Sequence, residues 1–578
     1  MNYYLSCKLP NKKYIYIQAV AENIDTDTIE IQLPAWRPGR YEIGNFAKNV
    51  RNFVVKDSKN EDLEFYKITK DRWKVTGIID SKITIEYEYF SNELNAGSTY
   101  IDDDLIYINP VNCLVYIEGK TAEKNQLFLE FNDIENKQIA TSLSQNDKTI
   151  FEAENFDELA DSPIMAASFL NHEIFEIENV KHHIWIYGNH TLDIDNFTKN
   201  VKQYTQESVA FFEDFPCKDY HYLILALPHK FRHGVEHSKS TVIALGPGEH
   251  FNTPEYTDSL LAICCHELFH FWNVKRIRPE SMLPYDYTQE NYSSLGYIYE
   301  GITTYYGDYL LLRSGVWDFD KWAANFNGDM QKHFENEARY FYSVADSSFD
   351  TWLDGYVPGA PARKVSIYTE GMLAALMLDI EIRYATNHQK SLDDVMYKLY
   401  HDLYKNGKGY TRQSFKNIMD EVAGKDMSFF VKDFYNGKNN IEKFLPETLW
   451  SLGLEIFKTT NPFVYKRYFG FTTTKHTNEI LIHNIAIDSP AEQNGIAYNQ
   501  IIIAANGQEI HSEEDLEKVA KNDFGKPLTL KVKDIFREKE IVMQPSTTDF
   551  YTEYSLKKML KTDENQKTFF EKWSKHKF

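Results

Sequence analysis

Cysteine is scarce in this chain of 578 residues: there are five, Cys7, Cys113, Cys217, Cys264 and Cys265. An odd, sparse set with no C-x2-C pair excludes a disulfide framework and a cysteine-based zinc site. No stretch approaches the roughly 18–20 consecutive apolar residues that a membrane span needs. The opening MNYYLSCKLPNKKYIYIQAV lacks the apolar run of a signal peptide. As given, the chain reads as cytoplasmic; a periplasmic or secreted location requires that a signal was removed. Positive charge is also in deficit. Lys and Arg number 63 against 85 Asp and Glu, for a formal net charge of −22. Such a chain repels phosphate backbones, which argues against a nucleic-acid partner. Internal repeats and low-complexity segments are missing too.

Core-forming residues are plentiful: 43% are hydrophobic and 15% aromatic. The length is too great for one core and implies three or four domains. Residues 1–170 alternate short apolar runs (IYIQAV, IEIQL, KITIEYEYF, CLVYIE, LFLEF) with Asn, Asp and Gly, which predicts a β-sandwich-like domain. Within it LPAWRPGRY, Leu33 to Tyr41, sets a turn among aromatics. Residues 171–455 mix strands, HHIWIYG and YHYLILALP, with helices at 195–213 and about 297–314. GVEHSKSTVIALG predicts an edge strand with a turn at Gly234. The next helix has Thr253 as its cap and Pro254 at its first position. Residues 456–546 return to strands around one short helix, SEEDLEKVA. Residues 547–578 read as a helical tail with Leu556, Met559 and Leu560 available for packing. The fold class is α+β, multidomain.

The chemistry-bearing run is His266-Glu267-Leu268-Phe269-His270, an HExxH pattern on a predicted helix. Positions i and i+4 share a helical face, so both imidazoles can meet one cation. Glu267, one residue on, can reach a water at that cation and take its proton without becoming a ligand. A catalytic zinc needs a third ligand and one open position. Glu300, in YIYEGITTYY, lies 30 positions after His270 and sits among the apolar Ile298, Ile302 and Tyr305. That makes it the candidate third ligand. His229 and His233 read as surface residues, because Gly234 and the β-branched run beyond break their helical spacing.

These residues resemble the glycyl aminopeptidase family of zinc metallopeptidases, gluzincins related to the aminopeptidase N type. The resemblance runs through LPAWRPGRY, GVEHSKST, HELFHFWNVKRIRP, EGITTYYGDYLL, VSIYTEGMLAALMLDIEIR and SPAEQNGIAYNQIIIAANGQ. It implies a thermolysin-like catalytic domain over 171–455 and a PDZ domain over 456–546. It also implies that GVEHS is the exopeptidase strand, with Gly234 and Glu236 binding substrate and Glu236 gripping the free α-amine. Tyr368, in IYTEG, would hydrogen-bond the developing oxyanion. A lysine is more usual at the position of Glu370. YFGF, Tyr468 to Phe471, would be the carboxylate-binding loop of the PDZ domain.

The expectation is a zinc aminopeptidase acting on peptides with a free N-terminus, preferring Gly or Ala, with peptide C-termini as possible PDZ partners. Two other readings stay open: a zinc endopeptidase, and a PDZ peptide-binding protein with a vestigial zinc site.

Overall fold

The computed structural model describes residues 1–79, 81–357, 359–438 and 441–578. It is an α+β multidomain protein, with a β domain first, a largely helical catalytic region next and a second β domain near the C-terminus.

The N-terminal domain follows from period-2 patterning. Tyr14–Ala21 and Ile83–Phe90 alternate buried and partly exposed residues along eight positions each, so one face of each strand enters the core. These two strands pair with each other as the fifth and sixth strands of a seven-stranded sheet, and two four-stranded sheets complete the region. The turn LPAWRPGRY does not stay within that domain. Trp36 and Tyr41 are fully buried against Tyr285, Tyr299 and Trp352 of the catalytic region. The Trp36 indole N–H donates to Asp286 O at 2.6 Å.

The catalytic region begins with a five-stranded sheet in the order Asn171–Ile177, Val180–Tyr187, Asp219–Ala226, Ser240–Gly246, Phe231–Glu236. Helix Ile194–Phe212 makes the crossover that the parallel pairing of Val180–Tyr187 with Asp219–Ala226 requires. The inner strands are buried on both faces, which explains their continuous apolar runs. One face, with Tyr222, Ile224 and Ile243, packs on helices through Leu260, Cys264 and Leu268. The other, with Leu223, Leu225 and Val242, meets Tyr107, Ala140 and Met165 of the N-terminal domain. Phe231–Glu236 forms the sheet edge, antiparallel to its neighbour. Its Gly234 lies within the strand; the reversal predicted there falls instead at 237–239, between the two strands.

The second β domain has its own core, including Tyr465, Phe471, Ile482, Leu516, Leu530 and Val532. It interrupts a two-stranded ribbon: Leu454–Thr459 pairs antiparallel with Glu553–Lys558, and Thr459 lies opposite Glu553. The C-terminal tail is therefore part strand and part helix rather than helical throughout. Leu556 is buried in the ribbon and Leu560 is exposed. Helix Glu564–Ser574 buries Phe569, Phe570 and Trp573 in the catalytic core. Among the described residues, no helix is long and apolar enough to cross a membrane. All five cysteines are free, and Cys264 and Cys265 are buried packing residues.

Candidate active site

Helix Pro254–Phe269 starts at Thr253 and ends with His270 as its C-cap, so the HExxH residues occupy its last turn. Glu300 comes from a π-helical turn, Tyr297–Ile302, that runs into helix Thr303–Arg313. Such turns insert one residue into a helix and re-aim its side chains. The three side chains converge. His266 Nε2 and His270 Nε2 are 3.1 Å apart. Glu300 Oε2 lies 3.3 Å from His270 Nε2 and 3.8 Å from His266 Nε2. A tetrahedral zinc at about 2.0–2.2 Å from its ligands separates them by about 3.3 Å, so this donor set fits zinc in type and in spacing. One further metal-like grouping occurs among the described residues, Glu236, Glu267 and His270, in the same cavity.

Two glycines let the elements close on each other. A Cβ on Gly301 would lie 2.4 Å from Gly371 Cα, and one on Gly371 would lie 2.6 Å from Gly301 Cα. The Glu300 turn and helix Ile367–Ala385 therefore touch backbone to backbone, which brings Glu300 and Tyr368 to one cavity. His270 is oriented from behind: its Nδ1 lies 2.7 Å from Asn273 O. The next residue, Val274, has φ +136°, an uncommon conformation for a β-branched side chain. Asn273 Nδ2 donates to Ile298 O at 2.8 Å and to Thr303 Oγ1 at 3.1 Å, linking the two ligand-bearing segments. Tyr41 O–H donates to Glu300 Oε1 at 2.6 Å.

The edge strand runs across the His266, His270 and Glu300 cluster. A Cβ on Gly234 would lie 2.3 Å from Glu267 Oε1, so glycine is what lets the strand pass over the Glu267 carboxylate. Glu236 is 4% exposed, and its Oε1 has no hydrogen-bond partner among the described residues. The turn after Glu236 is anchored on Asp161 of the N-terminal domain. Ser238 N–H donates to Asp161 Oδ2 at 2.8 Å, and His237 Nδ1 lies 3.0 Å from Oδ1. Lys275, just past helix Pro254–Phe269, donates to the same Oδ1 at 2.8 Å.

Tyr368 opens helix Ile367–Ala385 and lines the cavity with Tyr356. Burial pushes the Tyr368 phenol well above its ordinary range, and Glu300 and Tyr356 push the same way. Glu370 has a separate job: its carboxylate pairs with buried His333, Oε1 to Nδ1, at 2.6 Å. The cavity holds about 1350 Å³, and carboxylates outnumber Lys and Arg in its lining. Burial pushes Glu267 up to about 8, aided by Glu236 and Glu300. Burial also disfavours the His270 imidazolium, but Glu300 outweighs it and lifts His270 to about 10. A cluster that forces charge onto a histidine in this way is suited to a cation.

The structure thus brings His266, Glu267, His270, Glu300, Gly234, Glu236 and Tyr368 to one cavity. His233 is not a surface residue. It is half-buried on the cavity wall, where burial drives its pKa down to about 3, and Arg37 Nη2 lies 3.4 Å from its Nε2. The strand alternation that turns it inward starts at Phe231, ahead of the β-branched run that marks a strand in the sequence, so pattern alone does not reveal it. Tyr41, Gly39 and Asp161 escape sequence reasoning as well. For the first two a signal is present in LPAWRPGRY, whose aromatics have no reason to crowd a solvated turn.

Two M61 family models match the chain: the peptidase M61 N-terminal domain over residues 2–168 and M61 glycyl aminopeptidase over residues 259–374. A PDZ domain model matches residues 468–540. An aminopeptidase N family protein from Idiomarina loihiensis has the same fold. It is 24% identical, with 99% of each chain covered and a TM-score of 0.90. An M1 zinc metallopeptidase from Deinococcus radiodurans, solved with Tyr-Ser-Ala, is 11% identical over 76% of this chain and 93% of its own, with a TM-score of 0.46. No curated protein matches the chain. Residues 2–168 and 259–374 are thus an M61 N-terminal domain and an M61 glycyl aminopeptidase domain, and residues 468–540 are a PDZ domain.

Proposed function

We propose that this peptidase is a zinc-dependent aminopeptidase that removes N-terminal Gly or Ala from peptides. The observation that carries the reading is Glu236: a buried carboxylate with an unpaired oxygen, on the strand that crosses the metal-ligand cluster. A buried, unpaired carboxylate is costly unless a cation arrives to meet it. The α-ammonium of a peptide is such a cation, and the distance from the cluster then selects the first peptide bond.

His266, His270 and Glu300 would hold the zinc. When bound, zinc supplies Lewis acidity, lowering the pKa of water and polarising the scissile carbonyl. The chain's own residues do the rest. An extended substrate pairs with Phe231–Glu236, and the bare Gly234 leaves room for Glu267 beside the reacting bond. Glu267 Oε1 takes the proton of the attacking water and returns it to the leaving amine. The Tyr368 phenol, kept protonated by burial, donates to the oxyanion. Gly39, Tyr356 and Tyr368 line the cavity, and a preference for Gly or Ala would require the first side chain to be crowded there.

The PDZ domain presents Phe471–His476 at an open sheet edge, a surface on which a peptide C-terminus could add as a strand. Within YFGF, Tyr468 and Phe469 close helix Val464–Phe469, and the Gly470 N–H donates to Lys466 O at 3.1 Å.

The test of the aminopeptidase reading is the ratio of kcat/KM for free over N-acetylated Gly and Ala peptides, in wild type and Glu236→Ala. The ratio should collapse in the variant while zinc content stays the same. An unchanged ratio means that Glu236 does not hold the amine.

A further inference from the structure

The turn Trp36–Tyr41 belongs to the N-terminal domain in sequence but touches the site at three places. Arg37 reaches His233, Gly39 lies under Glu236, and Tyr41 reaches Glu300. We propose that Tyr41 is a positioning residue for the metal centre, setting which oxygen of Glu300 faces the cation. The inference rests on the zinc reading above.

The geometry is specific. Glu300 divides its two oxygens between two tasks: Oε2 faces His266 and His270, and Oε1 accepts the Tyr41 phenol at 2.6 Å. A carboxylate on a flexible side chain can swing between one-oxygen and two-oxygen coordination. A hydrogen bond that occupies Oε1 removes that freedom and leaves Oε2 for the metal. Tyr41 is itself held. It is 1% exposed, with its ring 5.4 Å from Tyr299 and 6.1 Å from Trp352. The turn is pinned by Ala35 N–H on Tyr287 O at 2.7 Å and by Gly44 N–H on Ala35 O at 2.8 Å. The phenol therefore arrives in place without ordering anything further when the metal binds. The N-terminal domain thereby becomes part of the metal site, although its residues lie far from HExxH in the chain.

The experiment is a zinc titration of the full chain against a chromophoric chelator, for wild type and Tyr41→Phe, with thermal melts of both metal-free proteins. Phe removes one oxygen and keeps the ring contacts. Loss of such an outer hydrogen bond typically weakens metal binding by about 10–100-fold. The zinc Kd should rise by that factor while the metal-free melting midpoint stays put. KM for a Gly dipeptide amide at saturating zinc should also hold. A Kd within about twofold of wild type overturns the proposal, and a lower metal-free midpoint with an unchanged Kd assigns Tyr41 to packing alone. Wild type that takes up less than about half an equivalent of zinc sinks the metal reading itself, and this proposal with it.

Discussion

The carboxylate of Glu236 rests on the bare Cα of Gly39, so closely that a methyl group there would come within 2.5 Å of Oε2. Gly39 also has φ +81°, which a side chain tolerates poorly. One glycine of the N-terminal domain thus sets the position of the residue proposed to bind the substrate amine. Gly39→Ala should push the Glu236 carboxylate aside by a fraction of an ångström or more. Displacements of that size at a positioning group cost on the order of 10²-fold in rate. The loss should fall on kcat/KM for free-amine peptides, with zinc content unchanged. A variant within a few-fold of wild type would show that the contact is slack.

Gly234 and Glu267 form a second close pair: a methyl group on the glycine would lie 2.3 Å from Oε1 of the glutamate. Two substitutions separate geometry from chemistry. Glu267→Gln keeps the volume and removes the proposed base, and should lower kcat by about 10²–10⁴-fold with metal retained. Gly234→Ala keeps the base and crowds it, so it should lower both activity and substrate affinity. Near-wild-type activity in Glu267→Gln would assign the proton transfer to another group.

Asp161 should make stability depend on pH. Burial works against its charge, but Lys275 and His237 outweigh burial and hold its carboxyl below the ordinary range. A carboxyl depressed by folding contributes fully above its unfolded value of about 3.9, and the contribution is lost as pH falls below that. Asp161→Asn strands the Lys275 ammonium, which is buried, at a cost of about 3–5 kcal/mol near neutrality. Denaturant melts of the metal-free proteins from pH 7 to pH 3 should show the gap between wild type and variant closing below about pH 4. A gap that is constant with pH would mean that the Asp161 charge is not what matters.

The PDZ domain should be removable, but not by truncation. Cutting at residue 456 deletes strand Glu553–Lys558, most of its partner Leu454–Thr459, and Trp573, whose indole N–H donates to the Tyr305 phenol at 3.0 Å in the catalytic core. That protein should be insoluble or strongly destabilised. Replacing 460–552 with a short turn joins Thr459 to Glu553, which already face each other, and should leave a folded enzyme with wild-type activity on dipeptides. Inactivity in a folded, monodisperse excision variant would show that the PDZ domain helps to form the active site.

What the sequence determined by itself is local. HExxH is legible because i and i+4 share a helical face whatever surrounds the helix. Strand periodicity marks the N-terminal β domain for the same reason, as alternation needs no partner to be visible. Glu300 is legible through its helical, apolar neighbourhood, and Gly301 beside it is the glycine that the crossing with Gly371 demands. Tertiary structure decided everything that depends on a second segment. Tyr41 is 259 residues from Glu300, and Lys275 is 114 residues from Asp161. The tail adopts a strand because Leu454–Thr459 offers an edge far earlier in the chain, and no periodicity within the tail encodes that partner. His233 is half-buried because the N-terminal domain, through Arg37, covers the strand face that it shares with Phe231 and Val235. Hydrogen bonds and close approaches of this kind are fixed by where the chain folds back on itself, and pattern within a single segment carries no record of that.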